Sequence, residues 1–115
     1  MSGSMQYVQF QLQLAIRMLA LGPGDIRSRL LDAYYPLHTI QKEDLPPHLQ
    51  KDWQWITKQF IRFGPVKDQT GKVWIGVVEH TMRKIRNNTG VKIVERIILL
   101  DDELQKWIET AGERG

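Results

Sequence analysis

The chain has 115 residues, no cysteine, and 16 Lys and Arg against 13 Asp and Glu, which gives a formal net charge of +3. This length suits one domain and is too short for a TIM barrel or a complete dinucleotide-binding enzyme. Because cysteine is absent, disulfide scaffolds, thiolate metal sites and cysteine nucleophiles are excluded. No stretch reaches the roughly 18 apolar residues that a membrane span needs, so we expect a cytoplasmic protein that does not contact a membrane.

The start of the chain supports two structural interpretations. Residues 1–4 have the composition of an expression remnant, and we expect residues 5–115 to form a single helical domain. Over residues 7–16 apolar side chains alternate with glutamines, which is the period of a strand. The residue types themselves favour a helix, in which Leu12, Ile16 and Leu19 share one face. We prefer the helix and keep the strand as the alternative.

Two further helices are bounded by capping and breaking residues. Asp25 is a natural N-cap for a helix over residues 26–35, which Pro36 ends or kinks. Asp44 precedes two prolines, the arrangement of a cap followed by proline at the first helical positions. It predicts a third helix over residues 46–63.

Residues 72–78 are the second ambiguous segment, and they follow a turn predicted at residues 68–71. The β-branched side chains around Trp74 suit a short strand. Trp74, Val78 and Ile85 also share one face of a helix. We prefer a helix from residue 74, with the strand as the alternative.

The last helix, predicted over residues 90–109, has the most regular pattern in the chain. Its apolar residues recur at the alternating spacing of four and three that is typical of helices packed nearly parallel. They are Ile93, Ile97, Leu100, Leu104 and Trp107. We prefer the internal core of a bundle for this stripe and keep the seam of a homodimer as the alternative. The run over residues 97–100 supports that alternative, because it is apolar all round and one neighbour cannot cover it.

Together these elements predict an all-α fold, a single-domain bundle of four to five helices. A minor β element at the N-terminal segment or at residues 72–78 is the alternative.

Groups that carry catalytic or metal chemistry are sparse. His38, His48 and His80 include no pair at the spacing of metal ligands on a helix. The acidic clusters at residues 43–44 and 101–103 suit a helix cap and a solvated face rather than acid–base catalysis. We therefore predict no catalytic residue, no metal and no cofactor, and we expect that the protein is not an enzyme.

One face of the third helix combines a tryptophan with three cations. At about 100° per residue the four side chains fall within about 60° of one another, opposite the apolar stripe that contains Trp53. They are Lys51, Trp55, Lys58 and Arg62. A large aromatic residue on a charged face suits an anchor for a partner. The alternative is that another element, such as the N-terminal segment, covers Trp55.

The charge is distributed unevenly along the chain. Residues 51–96 hold ten basic and four acidic side chains, whereas residues 97–115 hold two basic and five acidic ones. A second basic set lies on both sides of the turn before the last helix. Its members are Arg83, Lys84, Arg86, Lys92 and Arg96. These cations suit contacts with the phosphates of a nucleic acid.

The patterns lead to one functional hypothesis and one alternative. The hypothesis is a non-catalytic helical interaction or regulatory protein that binds a protein partner through its basic, Trp-bearing face, as inhibitors, antitoxin-like factors and complex subunits do. The alternative is a nucleic-acid-binding module that uses the cationic region 51–96. Self-association as a homodimer is compatible with both.

Overall fold

The computed structural model describes residues 5–114, with side chains described as far as residue 111. Residues 1–4, interpreted above as an expression remnant, lie outside this range. The described residues form five α-helices and one two-stranded antiparallel sheet. In chain order the elements are α1 (Met5–Leu21), α2 (Ile26–Leu37), α3 (Pro47–Phe60), β1 (Val66–Lys67), β2 (Val73–Ile75), α4 (Val77–Lys84) and α5 (Asn87–Arg114). The prediction of an all-α bundle with a minor β element is confirmed.

The N-terminal segment is the helix α1 and not a strand. Its buried residues Val8, Leu12, Ala15 and Leu19 recur at helical spacing and are at most 7% exposed. This period, rather than the alternation with glutamines, decides which side chains reach the core. The glutamines remain on the flanks, where Gln11 donates hydrogen bonds to the end of α2.

The predicted cap of α2 is confirmed. The Asp25 carboxylate accepts a hydrogen bond from the backbone N–H of Ser28 at 3.0 Å. This bond and a second one from Arg27 hold the pKa of Asp25 below its usual value. Pro36 lies buried in the last turn of α2, which continues to Leu37, two residues beyond the predicted end.

Asp44 is not the cap that we predicted for the third helix. Its carboxylate accepts a hydrogen bond from the backbone N–H of Gln41 at 3.0 Å and closes a short 3₁₀ turn instead. α3 begins after Pro46 with Pro47 in its first turn, where a missing N–H removes no helical hydrogen bond. The helix ends at Phe60, three residues before the predicted end, and the chain then turns at Gly64, which adopts a positive φ of 68°.

The predicted helix from residue 74 is wrong over its first three residues. Residues 73–75 form β2, which pairs with β1 in the register Val66↔Ile75 and Lys67↔Val73. The predicted turn over residues 68–71 makes this pairing feasible. Asp68 Oδ1 accepts hydrogen bonds from the N–H groups of Thr70 and Lys72, both at 2.9 Å, and it holds the hairpin closed. The helix α4 starts only at Val77.

The break before the last helix also lies earlier than predicted. The chain leaves the helical conformation at Ile85, and α5 has begun by Asn87. Gly90 therefore lies inside α5 and is not a cap. A Cβ added at Gly90 would lie 2.9 Å from Cγ2 of Ile26, so its missing side chain lets α2 approach α5 closely.

Helix α5 packs across α1, α2 and α3. Four residues of its apolar stripe, Ile93, Ile97, Leu100 and Leu104, are at most 1% exposed, so the chain's own helices already enclose them. The fifth residue, Trp107, is 39% exposed. These four residues form the internal core, which was the preferred interpretation, and not the dimer seam, which was the alternative. Any self-association, which stays a prediction, must therefore use other residues.

Leu99 and Leu100 are neighbours on α5, but only Leu100 is buried, so substitutions at the two positions test the core packing of α5. Leu100→Ala removes a side chain that is 1% exposed, and we expect a loss of about 2 to 5 kcal/mol in the free energy of unfolding. Leu99 is 56% exposed, so Leu99→Ala should change stability by less than about 0.5 kcal/mol. Urea unfolding of both variants measures the difference, and equal losses would contradict the burial described for α5.

Asp101 corrects the expectation that residues 101–103 form a solvated acidic face. The Asp101 side chain is only 7% exposed, and its Oδ1 is buried with no hydrogen-bond partner among the described residues. Its Oδ2 accepts one hydrogen bond from Gln105 at 2.9 Å. Burial raises the pKa of Asp101, and the neighbouring charge of Asp102 adds to that effect.

Asp101→Asn should therefore stabilise the protein at neutral pH. A carboxyl group whose pKa is higher in the folded state favours folding only while it is protonated, so its contribution is lost as the pH rises through that raised pKa. Asparagine stays neutral at every pH. The advantage of Asp101→Asn over the wild type should be present at pH 7 and should shrink as the pH falls toward the ordinary range of aspartate. Urea unfolding at several pH values measures it, with Glu95→Gln as the exposed control on the same helix, and a pH-independent difference would contradict the assignment.

Candidate functional site

Helix α3 separates its apolar and basic residues onto opposite sides. Leu49, Trp53, Ile56 and Phe60 are at most 3% exposed and face the core. On the other side lie Lys51 and Lys58, which are both exposed. Arg62, the third cation of the predicted contact set, is also exposed but lies two residues beyond the end of α3, with its guanidinium 5.4 Å from the centroid of the Phe63 ring. None of these three forms an ion pair with any residue between 5 and 111. Their positive charge is therefore presented to solvent.

Trp55 lies at the border between these two sides. Its ring is partly buried and packs against the core, so it is not the freely exposed aromatic residue that the contact hypothesis assumed. The guanidinium of Arg96 on α5 lies over the ring, 4.9 Å from its centroid. Another element thus covers one face of Trp55, and that element is α5 rather than the N-terminal segment.

Arg96 is also bound to α3 by an ion pair. Its Nη1 donates a hydrogen bond to Oδ1 of Asp52 at 2.9 Å. Both side chains are 45% exposed, so the pair is screened by water and contributes less than about 1 kcal/mol to stability. The weakness of the pair has a chemical consequence. A carboxylate from outside can replace Asp52 at the guanidinium at little cost.

The contact between Trp55 and Arg96 connects the two basic sets predicted from the sequence, since Trp55 belongs to the set on the third helix and Arg96 to the second set. Lys92 precedes Arg96 by one helical turn on α5 and is also exposed. We name the resulting surface the α3–α5 basic face. It consists of Lys51, Trp55, Lys58, Arg62, Lys92 and Arg96.

The rest of the second basic set lies on α4 and the turn that follows it. Arg83 forms an ion pair with Glu79 at 2.8 Å, and both residues line a groove against Asp25 and Arg27 of the α2 region. Lys84 and Arg86 are exposed at the end of α4. Of the five cations proposed for phosphate contacts, Arg83 and Arg96 therefore each have an acidic partner within the chain, and both ion pairs are exposed to water.

Sequence reasoning missed the most exposed aromatic residue. Trp74 on β2 is 76% exposed, whereas the helical interpretation had turned it toward the core. The strand propensity of the residues beside it was the available signal. A strand in an isolated two-stranded hairpin has no packed face to bury a tryptophan.

Two of the three histidines make specific contacts in the structure that the sequence did not indicate. His80 Nδ1 lies 2.8 Å from the carbonyl oxygen of Gly64. Since a carbonyl only accepts, this ring nitrogen carries the hydrogen. The His38 ring stacks on Tyr34 with centroids 5.5 Å apart. The first contact connects α4 to the turn after α3, and the second lies within the C-terminal end of α2; neither forms a metal site.

The described part of the chain contains no group of three or more His, Asp and Glu side chains placed to hold a metal ion. Within residues 5–114 no helix combines the length and apolarity that a crossing of the bilayer requires. The chain has no significant match to a known protein family, a curated protein or a solved structure.

The two tryptophans of α3 provide a controlled comparison of core and border positions. Trp53 is 3% exposed, so Trp53→Ala should cost about 3 to 5 kcal/mol of stability. Trp55→Ala removes a half-buried ring and its contact with Arg96, for which we expect a smaller loss of about 1 to 2 kcal/mol. Urea unfolding of both variants tests the difference. Equal losses would place Trp55 in the core and remove it from the α3–α5 basic face.

Proposed function

We propose that this protein is a non-catalytic interaction protein that binds an acidic surface of a protein partner through the α3–α5 basic face. The observation that carries the proposal is the contact at 4.9 Å between Arg96 and Trp55, which brings a cation of α5 onto an aromatic ring of α3. Interfaces favour this combination, because arginine and tryptophan supply a large share of binding energy at protein contacts. A regulatory, inhibitory or complex-subunit role in the cytoplasm belongs to the same proposal.

The state of Trp55 favours a protein partner over a nucleic acid at this face. Base stacking needs an open face of the aromatic ring. Here the guanidinium of Arg96 lies over one face, and the ring also packs against the core. The ion pair of Arg96 with Asp52 supports a carboxylate as the ligand, because a partner carboxylate makes the same contact that Asp52 makes within the chain.

A nucleic-acid-binding module is the second candidate, and the hairpin supports it. Trp74 is 76% exposed, and Lys67 and Lys72 of the same hairpin are exposed as well. An open aromatic ring near cations is suited to stacking with a base and contacting the backbone phosphates. This candidate depends on the hairpin rather than on the α3–α5 basic face, so variants can separate the two.

The experiment compares two fluorescein-labelled probes, a polyglutamate peptide and a single-stranded oligonucleotide, by fluorescence anisotropy. The double variant Lys58→Glu/Arg62→Glu reverses two charges on the α3–α5 basic face. We expect it to weaken binding of the peptide by about tenfold or more, which corresponds to about 1.4 kcal/mol.

The matched control is Lys67→Glu/Lys72→Glu, which makes the same change in net charge on the hairpin. It should leave binding of the peptide within about twofold of the wild type, a change of less than about 0.5 kcal/mol. Equal effects of the two double variants would show attraction by net charge alone and would refute the proposal. Tighter binding of the oligonucleotide that is lost in the hairpin variant and falls steeply with salt would support the second candidate.

A further inference from the structure

Helix α1 carries an apolar stripe on the side that faces away from the core. Phe10 is 63% exposed, Leu21 is 72% exposed, and Leu14 between them is partly exposed. Their spacings of four and seven residues place them on one face, about 140° from the buried stripe of the same helix. An exposed apolar stripe of this kind is typical of a surface that binds another molecule.

The same face is almost uncharged. Arg17 is the single charged side chain of α1, in a protein in which 25% of the residues are charged. Asp32 on α2 lies in the same groove and balances it. Neither Arg17 nor Asp32 forms an ion pair with any residue between 5 and 111. The face therefore has no concentration of charge that would attract a strongly charged partner.

The two halves of α1 differ in shape. The C-terminal half borders a shallow groove of about 550 Å³ between α1 and the exposed Tyr35 of α2, lined by Leu14, Met18 and Leu21. On the N-terminal half, beyond this groove, Phe10 protrudes into solvent. One end of the face thus supplies a projecting aromatic ring, and the other end supplies a hollow of apolar lining.

We propose that this α1–α2 face binds a second copy of the chain in a two-fold symmetric dimer. In this dimer the two copies of α1 run antiparallel, and the two-fold axis lies midway between Leu14 and Arg17. Phe10 of each copy then meets Leu21 of the other, which lies on the same helix face and lines the groove. A symmetric contact requires a surface that is complementary to itself. The α1–α2 face has this property, because it carries both a protruding side chain, Phe10, and a groove that can receive the same side chain of the other copy.

Charge favours this occupant and this location over the alternatives. Two copies of the α3–α5 basic face repel each other. The exposed residues Ile98 and Leu99 of α5 have Glu95 and Asp102 one helical turn away on either side, so a symmetric contact there brings acidic groups together. At the α1–α2 face each copy contributes one positive and one negative side chain, Arg17 and Asp32. The dimer shares no residue with the α3–α5 basic face and does not rest on the proposed function.

Sedimentation velocity over a dilution series tests the proposal on the full chain. The wild type should sediment as a dimer at micromolar concentration and dissociate on dilution. Phe10→Glu should sediment as a monomer throughout, with an unchanged circular dichroism spectrum, because the substituted side chain is exposed. Tyr35→Glu on the opposite wall of the groove is the second disrupting variant, in case Phe10→Glu does not fold. Leu99→Glu is the matched control on α5 and should remain dimeric.

A cross-link identifies the symmetry axis, since the chain has no cysteine of its own. Under mild oxidation the double variant Leu14→Cys/Arg17→Cys should form a covalent dimer, because residues 14 and 17 of opposite copies face each other, whereas Leu99→Cys should not. A wild type that is monomeric at high micromolar concentration would overturn the proposal. So would a dimer that persists in both Phe10→Glu and Tyr35→Glu, or one that is lost in Leu99→Glu.

Discussion

The burial of one stripe of α5 against three other helices is the constraint on which the rest of this fold depends. Ile93, Ile97, Leu100 and Leu104 are at most 1% exposed, and α5 packs across α1, α2 and α3. A helix that touches three neighbours sets their relative positions, because its side chains fill the spaces between them. The close approach at Gly90 secures its first turns against α2. Asp101 shows the cost of this arrangement, since α5 buries a carboxyl group of which one oxygen has no hydrogen-bond partner among the described residues.

The candidate site is a consequence of the same packing. Arg96 lies on α5 three residues after Ile93 and one residue before Ile97, so the burial of those isoleucines determines where its guanidinium lies. It lies over Trp55 and beside Asp52 of α3. Loss of α5 packing would therefore disperse the α3–α5 basic face even if every cation remained. The proposed binding would therefore depend on the fold through one arginine.

The surface divides by charge into two regions with different physical capacities. The α3–α5 basic face concentrates positive charge, which steers acidic partners and prevents the face from pairing with itself. The α1–α2 face is nearly neutral and apolar, with a hollow at one end and Phe10 at the other. A protein that uses both faces presents the basic face twice on one dimer. Such a dimer gains affinity for a repeated or dimeric acidic partner without any new contact.

The sequence by itself determined the approximate positions of α2, α3 and α5 and the buried side of α3 and α5, because helical period is a local property. The buried stripe of α3, the cap at Asp25 and four of the five residues of the α5 stripe are confirmed. Which helices pack against each other was decided by the tertiary structure alone. Residues 73–75 became a strand because the chain found a partner in β1, and Arg96 reached Trp55 across 41 residues of sequence. The periodicity within one segment cannot predict such contacts between distant segments, because they depend on how separate helices fill a common core.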